Sequence, residues 1–437
     1  MNYPFWDIPI LGGSMVIAIV AVLHVIVSHL AVGGGFYIFY TDLKAVRNND
    51  FKMLEYLKKH AKFFMLLTTV FGAVSGVGIW FTIALVSPAA TSTLIHIFLY
   101  GWAIEWVFFL VEITAIILYV YKFDKYTIKS RQIVAFIYFA AAWLSLFIIN
   151  GIITFMLTPG SYYETGNFWA AFFNPTYFPS LFFRTTICIV FAGIFGMFTA
   201  TFEMDDEIRE RAIKYASLYL IPGIFLMPLF AGWYFYMIPY LSKHIILGGS
   251  PLIMIFANIC AGSAALLLIA AIAHAWLEPR RLSTIFTILL IIFAGTFLGT
   301  FELTREAIRK PYTLYGRMYS NSTYVAKNNV PEINTQNYLS NLKWSGIKEV
   351  TDSNQLEAGR EIFKYQCQAC HSIEGYNAVK PLVKAWSYEF TMQNLQKLNE
   401  LKHFMPPFYG SNIERRVLAI YLYSLNNKID ELIKNKN

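Results

Sequence analysis

Cys367-Gln-Ala-Cys370-His371 sets two thiols and an imidazole within five residues. C-x-x-C-H spacing suits thioether bonds from both sulfurs to the vinyl groups of one haem, with the adjacent imidazole on its iron. A redox disulfide is the other chemistry open to two thiols so spaced. A thioether on the opposite face of the iron favours the reduced state and raises its potential, which suits electron transfer. Met405, in Met405-Pro406-Pro407, is the candidate for that position, with His403 as its rival. One covalent haem c is therefore expected. Cys188 and Cys260 lie inside apolar runs and read as small core residues.

A second set of residues is chemically conspicuous because of its setting. His24 and His29, Glu105 and Glu112, and Glu302, Arg305, Glu306 and Arg309 fall within or at the ends of long apolar stretches. An ionisable group inside a membrane is costly and marks a functional candidate. Glu105 and Glu112 are two helical turns apart, so they share one face. The plainer readings stay open: a hydrogen-bonded core role for either histidine, and an interfacial charge network for Glu302, Arg305 and Arg309. His274, beside Trp276 and Glu278, reads as an interface anchor. His60, His96 and His244 sit in or beside loops and receive no role.

The elements that must position these groups follow from composition. Of 437 residues, 57% are hydrophobic, 17% aromatic and only 14% charged, against about 25% charged in a soluble domain. The fold class expected is all-α: a polytopic membrane bundle of eight helices, near 13–40, 64–86, 95–121, 132–157, 179–202, 216–240, 252–276 and 283–304. Each is long enough for about 30 Å of hydrocarbon. Gly33-Gly34-Gly35, Gly72 and Gly76 should let helices approach closely, and Pro222 and Pro228 should kink the sixth span. Residues 1–309 form the membrane domain, 310–353 a polar linker outside the cytoplasm, and 354–437 a small helical domain. The net charge of +8 points away from nucleic acid, because the excess lies in short loops. Lys44, Arg47, Lys52, Lys58, Lys59 and Lys62, then Lys122, Lys125, Lys129 and Arg131, then Arg209, Arg211 and Lys214, then Arg280 and Arg281 occupy alternate loops. Those loops belong in the cytoplasm. Both termini then fall on the periplasmic side of a bacterial inner membrane, where haem c is attached. The first 43 residues contain no Lys or Arg, so the positive region of a cleavable leader is missing.

The C-terminal segment resembles a class I cytochrome c. Gly359, Phe363 and Leu418-Ala-Ile-Tyr421-Leu422 stand where that family packs its first helix on its last. Most of residues 10–312 resembles the haem-bearing large subunit of the cytochrome bd oxidases. His24 followed by Gly33 is similar to that family's first-helix haem ligand and its downstream glycine. Gly101-Trp-Ala-Ile-Glu105 with Glu112 resembles its third helix, whose acidic pair belongs to the active haem and the proton route. Asn150-Gly151 matches its fourth-helix pair. Glu306-Ala-Ile-Arg309-Lys-Pro311-Tyr312 resembles its Glu-x-Gly-Arg-Gln-Pro-Trp run, with Ile308 and Tyr312 as departures; there the Glu ligates a haem and the Arg faces propionates. Three further departures concern electron entry. Arg184 stands where the family's low-spin haem has a histidine, Met254 is a weak counterpart of that haem's methionine, and the quinol-binding loop shrinks to 241–251. His29 replaces the family's proline and is a candidate ligand for a relocated haem.

The resemblance implies about two non-covalent haems of b or d type, and an oxidase reducing dioxygen to water with Glu105 and Glu112 relaying protons. The departures and the haem c segment imply electrons from a soluble cytochrome c or another periplasmic donor, not from quinol. A nitric oxide reductase, and an electron-transfer module between the quinone pool and periplasmic carriers, are the alternatives. Membrane lipid surrounds the bundle, and a second membrane subunit or a homodimer stays open.

Overall fold

The computed structural model describes Trp6, residues 8–325 and residues 337–427. The middle of the expected linker, 326–336, and the end of the expected C-terminal domain, 428–437, lie outside the described residues. Eight helical spans run Gly12–Arg47, Phe51–Val86, Leu99–Tyr121, Ile128–Phe155, Tyr177–Ala200, Asp206–Met237, Pro251–Leu277 and Thr284–Ala307. The chain is an all-α, multi-pass membrane protein. Among the described residues the one sheet is a short antiparallel hairpin, Tyr312–Leu314 with Met318–Tyr319, inside the segment expected to be linker.

The span ends differ from expectation for local reasons. The lysine-rich stretch read as a loop before residue 64 is helical from Phe51. Met53, Tyr56, Leu57, His60, Ala61 and Phe64 recur at three- and four-residue steps and are buried, while the lysines take the other face. Asp50 starts this helix by accepting from the Met53 amide at 3.1 Å. A π-turn at Leu67–Phe71 then interrupts it before Gly72–Val86. Residues 87–94, expected as a loop, lie largely in a helix, Pro88–Ile97. The sixth span, Asp206–Met237, is interrupted where Pro222 stands: a 3-10 turn, Leu218–Leu220, precedes the proline, which takes the first turn of Ile221–Met237, where its missing N–H costs nothing, while Pro228 lies inside that helix.

Two compact units divide the described chain: Ala21–Gly78 with Ile97–Ile308, and Met1–Val20, Ile79–His96 and Arg309–Asn437. In the first unit the fifth span is buried along nearly its whole length, while the other spans keep apolar faces turned outward. A Cβ at Gly33 would lie 1.8 Å from the Cys188 carbonyl oxygen, so only glycine permits this crossing of the first and fifth spans. Arg131 is not a free loop cation. It is 7% exposed and grips Asp42 with Nε and Nη2 at 2.7 and 3.0 Å, and the Tyr119 hydroxyl donates to the same carboxylate at 2.8 Å. The remaining basic loops gather at one end of this unit. Lys52–Asp205, Lys58–Asp124, Lys59–Glu203, Arg211–Asp50 and Arg280–Glu210 pair there at 2.5–3.0 Å.

In the second unit, Gln355–Gln366 packs across Asn412–Ser424 through Gly359, whose Cβ would meet the Val417 carbonyl at 2.2 Å, and Phe363 lies on Tyr421. Leu339, Ile362, Leu395, Val417 and Leu418 share an apolar core with them. Glu414 closes the assembly: it accepts from the amides of Ser411 and Leu339, both at 2.7 Å.

Candidate functional site

His24 lies half-buried on the first span, opposite the Gly72–Val86 helix. Its Nδ1 is 3.1 Å from Ser75 Oγ, and Ser75 Oγ is 2.7 Å from the Phe71 carbonyl. A carbonyl only accepts, so the hydroxyl proton goes to Phe71 and Nδ1–H of His24 donates to Ser75. The lone pair then resides on Nε2, the form of histidine that ligates iron, with its ring fixed by the second hydrogen bond. Gly76 lies beneath the ring, where a Cβ would stand 3.2 Å from Cε1. The π-turn directly before Gly72 delivers both Ser75 and Gly76 to this position. These residues fit a haem ligand, and sequence reading missed Ser75.

His29 is placed differently. It is 3% exposed, and its Nδ1–H donates to the Val25 carbonyl at 2.8 Å. Its Nε2 faces Nη1 of Arg184 at 3.4 Å, a donor, so the lone pair that iron would need is already directed at a guanidinium. This arrangement does not fit His29 as a haem ligand. Arg184, 3% exposed, in turn reaches Glu302 at 2.7 Å, and Arg305 holds the other oxygen of Glu302 at 2.8 Å. Glu302, Arg184, Arg305 and His29 are thus one buried network, not separate features.

Glu105 and Glu112 share a face of the third span as expected. Ser145, on the fourth span, donates to Glu105 Oε1 at 3.2 Å and is also within reach of Glu112. One hydroxyl thus lies between the two acidic side chains, donating its proton to Glu105 and able to accept from Glu112 when that group is protonated. Glu306 is half-buried at the end of the eighth span. Arg309, 5% exposed, opens the segment that leads to the hairpin. His60, given no role from sequence, is buried with Nδ1 2.7 Å from Thr199 Oγ1. His274 stacks on Phe286 at 4.5 Å.

In the second unit the Gln355–Gln366 helix ends at Cys367, and the amides of Cys370 and His371 both turn back to the Cys367 carbonyl, at 3.0 and 2.9 Å. This tight turn gathers both cysteines and the histidine within one loop of main chain. Both cysteines are free. Burial, and then the neighbouring Cys370, pushes the Cys367 thiol up to about 12, which opposes the thiolate chemistry of a redox disulfide. Burial holds His371 below the ordinary imidazole range. Its Nδ1–H donates to the Asn377 carbonyl at 3.0 Å, leaving Nε2 for iron. Gln366 clamps the main chain of Tyr409 in both directions, which draws the 402–410 loop to the cysteine turn. On that loop Met405 is half-buried and His403 exposed. The donor set fits a covalently held haem. Among the described residues no group of three His, Cys, Asp or Glu could hold a bare metal ion.

The profile of the cytochrome bd terminal oxidase subunit I family matches residues 14–234, just over half of the chain. The chain belongs to that family. The bd oxidase from Geobacillus thermodenitrificans shares its fold, with a TM-score of 0.60 over 70% of this chain and 88% of that one, at 15% identity. No curated protein matches the chain. The bd family makes this a multi-pass membrane oxidoreductase of the terminal-oxidase type, with b or d haems as the family's prosthetic groups. The matched stretch contains His24, His29, Glu105, Glu112 and Arg184. It ends before Glu302, Glu306, Arg309 and the Cys367–His371 turn.

Proposed function

We propose that this bd-family chain is a cytochrome c-linked terminal oxidase that reduces dioxygen to water inside its bundle. The observation that carries the reading is the matched preparation of two histidines, one in each unit. His24 and His371 each have Nδ1–H tied to a protein oxygen and Nε2 left as the lone pair. When bound, haem supplies the redox change and the binding of the gas. His371 and Met405 would hold haem c between Cys367 and Cys370. His24 and Glu306 would supply axial ligands to the haem pair in the membrane, and Arg309 would balance propionates by charge-assisted hydrogen bonds.

The protein groups account for the remaining steps. Glu105 and Glu112, on one face of the third span with Ser145 beside them, would hold and pass protons towards the reacting oxygen. The basic end of the bundle faces the cytoplasm, which puts the C-terminal segment among periplasmic donors. Quinol does not feed this chain. Where the family's resemblance places a low-spin haem histidine, Arg184 is engaged with Glu302 and turns its guanidinium to His29. His29 therefore orients Arg184 and does not ligate iron.

Turnover with reduced soluble cytochrome c and with reduced quinol tests this reading. Oxygen consumption is expected with the first, abolished by Cys367→Ala with Cys370→Ala. Faster quinol turnover that survives those substitutions would sink it, as would a reduced protein that binds no carbon monoxide.

A further inference from the structure

Hydrogen bonds fasten the Cys367–His371 turn to the start of the first span and to the turn just before it. Ser14 Oγ donates to the carbonyl of Ala369 at 2.8 Å, and Ala369 lies between the two cysteines. The Tyr376 amide donates to the carbonyl of Ile10 at 2.7 Å. Tyr376 is joined to Asn377, whose carbonyl takes the His371 Nδ1–H and whose amide donates to the Cys370 carbonyl at 2.7 Å. Between them Gly375 lies against the Ile10 backbone so closely that a Cβ would stand 1.8 Å from its oxygen. The turn that receives these contacts is itself pinned. The Trp6 amide donates to the Leu85 carbonyl at 3.1 Å, its ring meets Phe81 edge-on, and Gly13 abuts Val86. All these residues belong to one compact unit.

We infer that the Ile10–Ser14 turn is the seat through which electrons leave the Cys367–His371 turn for the membrane bundle, with Ser14 as a positioning residue. The inference rests on the reading that this turn carries haem c. Thioether sulfur joins macrocycle to protein, so a covalent path runs from Cys370 to the Ala369 carbonyl, and a single hydrogen bond crosses to Ser14. A second path runs from the iron ligand His371 through Asn377 and Tyr376 to Ile10. The first ends at Ser14, on the helix that also carries His24, and the second at Ile10, in the turn that leads into that helix. In the step itself one electron leaves ferrous haem c and reduces a ferric haem of the bundle; no bond or proton changes place. The contacts are between neutral groups, so the docked state does not depend on charge attraction, and the transfer is insensitive to salt.

The test uses the full-length holoprotein and the variants Ser14→Ala, Ser14→Thr and Gly375→Val. A pyridine haemochrome spectrum and a redox titration come first. Absence of covalent haem in the wild type would defeat the haem c reading, and the docking inference with it. With haem c present, the rate of internal electron transfer is read as the oxidation of haem c after photolysis of carbon monoxide from the reduced protein in the presence of dioxygen, which oxidises the haem of the bundle and makes it the acceptor. Ser14→Ala should slow it about fivefold, the weight of one ordinary hydrogen bond, with haem c content and potential unchanged, and Ser14→Thr should restore it. Gly375→Val should slow it further. A wild-type rate that falls with rising salt, or an unchanged rate in Ser14→Ala, would overturn the docking inference while leaving the haem c reading intact, even if Gly375→Val fails to fold.

Discussion

Glu302→Gln removes the single carboxylate that two buried guanidiniums share. Arg184 Nη2 approaches it at 2.7 Å, and Arg305 Nε and Nη2 both at 2.8 Å. The side chains of Arg184 and Glu302 are 3% and 7% exposed and that of Arg305 19%, so water does little to replace the lost charge. Glutamine keeps one acceptor oxygen but no charge. Stranding one partner of a buried pair costs about 3–5 kcal/mol. With two cations left behind, the expected loss lies in the upper half of that range, about 4–5 kcal/mol. The companion variant, Arg184→Met with Glu302→Leu and Arg305→Met, removes every charge of the set and should recover most of the loss, because apolar replacement of a buried ion pair is often neutral or stabilising. The assay is the unfolding free energy in mixed micelles under detergent titration, followed by far-UV circular dichroism. A cost for Glu302→Gln below about 1 kcal/mol, the worth of a solvated pair, would refute the argument. So would a triple variant as unstable as the single one.

His24→Ala should lose one non-covalent haem and all oxygen consumption, whereas Glu112→Gln should keep its haems and slow turnover; haemochrome content and an oxygen electrode decide both. Met405→Ala should lower the haem c potential in a redox titration and remove the thioether–iron charge-transfer band, and an unchanged potential would assign the position to another residue. In intact cells a membrane-impermeant maleimide should label Lys384→Cys and leave Lys125→Cys unlabelled until the inner membrane is opened; the reverse pattern would invert the orientation.

The bundle was legible because its signal is additive. Long uncharged runs count spans whatever their packing, and the eight expected helices are all present. What escaped was decided by contacts between distant residues. Arg131 and Asp42 are 89 residues apart and bury each other's charge, so a positive residue counted as a loop cation is a core one. Lysines masked the helix from Phe51 to Leu66 although its apolar residues keep helical spacing. His29 read as a candidate ligand because it replaces the family's proline, but the Arg184 guanidinium that faces its Nε2 at 3.4 Å had no sequence signal. Ser75 and Ser145 carry no signal of their own in an apolar run. They matter only because a π-turn and a helix crossing bring them to His24 and Glu105.

The Arg184–Glu302 pair also sets a problem for biogenesis. The two residues are 118 positions apart. At about 5–20 residues per second of synthesis, Arg184 enters the membrane about 6–24 s before its counter-charge exists. The fifth span, which ends buried by the others, must therefore wait half-assembled with a guanidinium in hydrocarbon, held by the insertion machinery or by the spans already made. Arrival of the eighth span supplies the missing carboxylate and locks the centre of the bundle, so a helix made long after the fifth is the one that commits the chain to its fold.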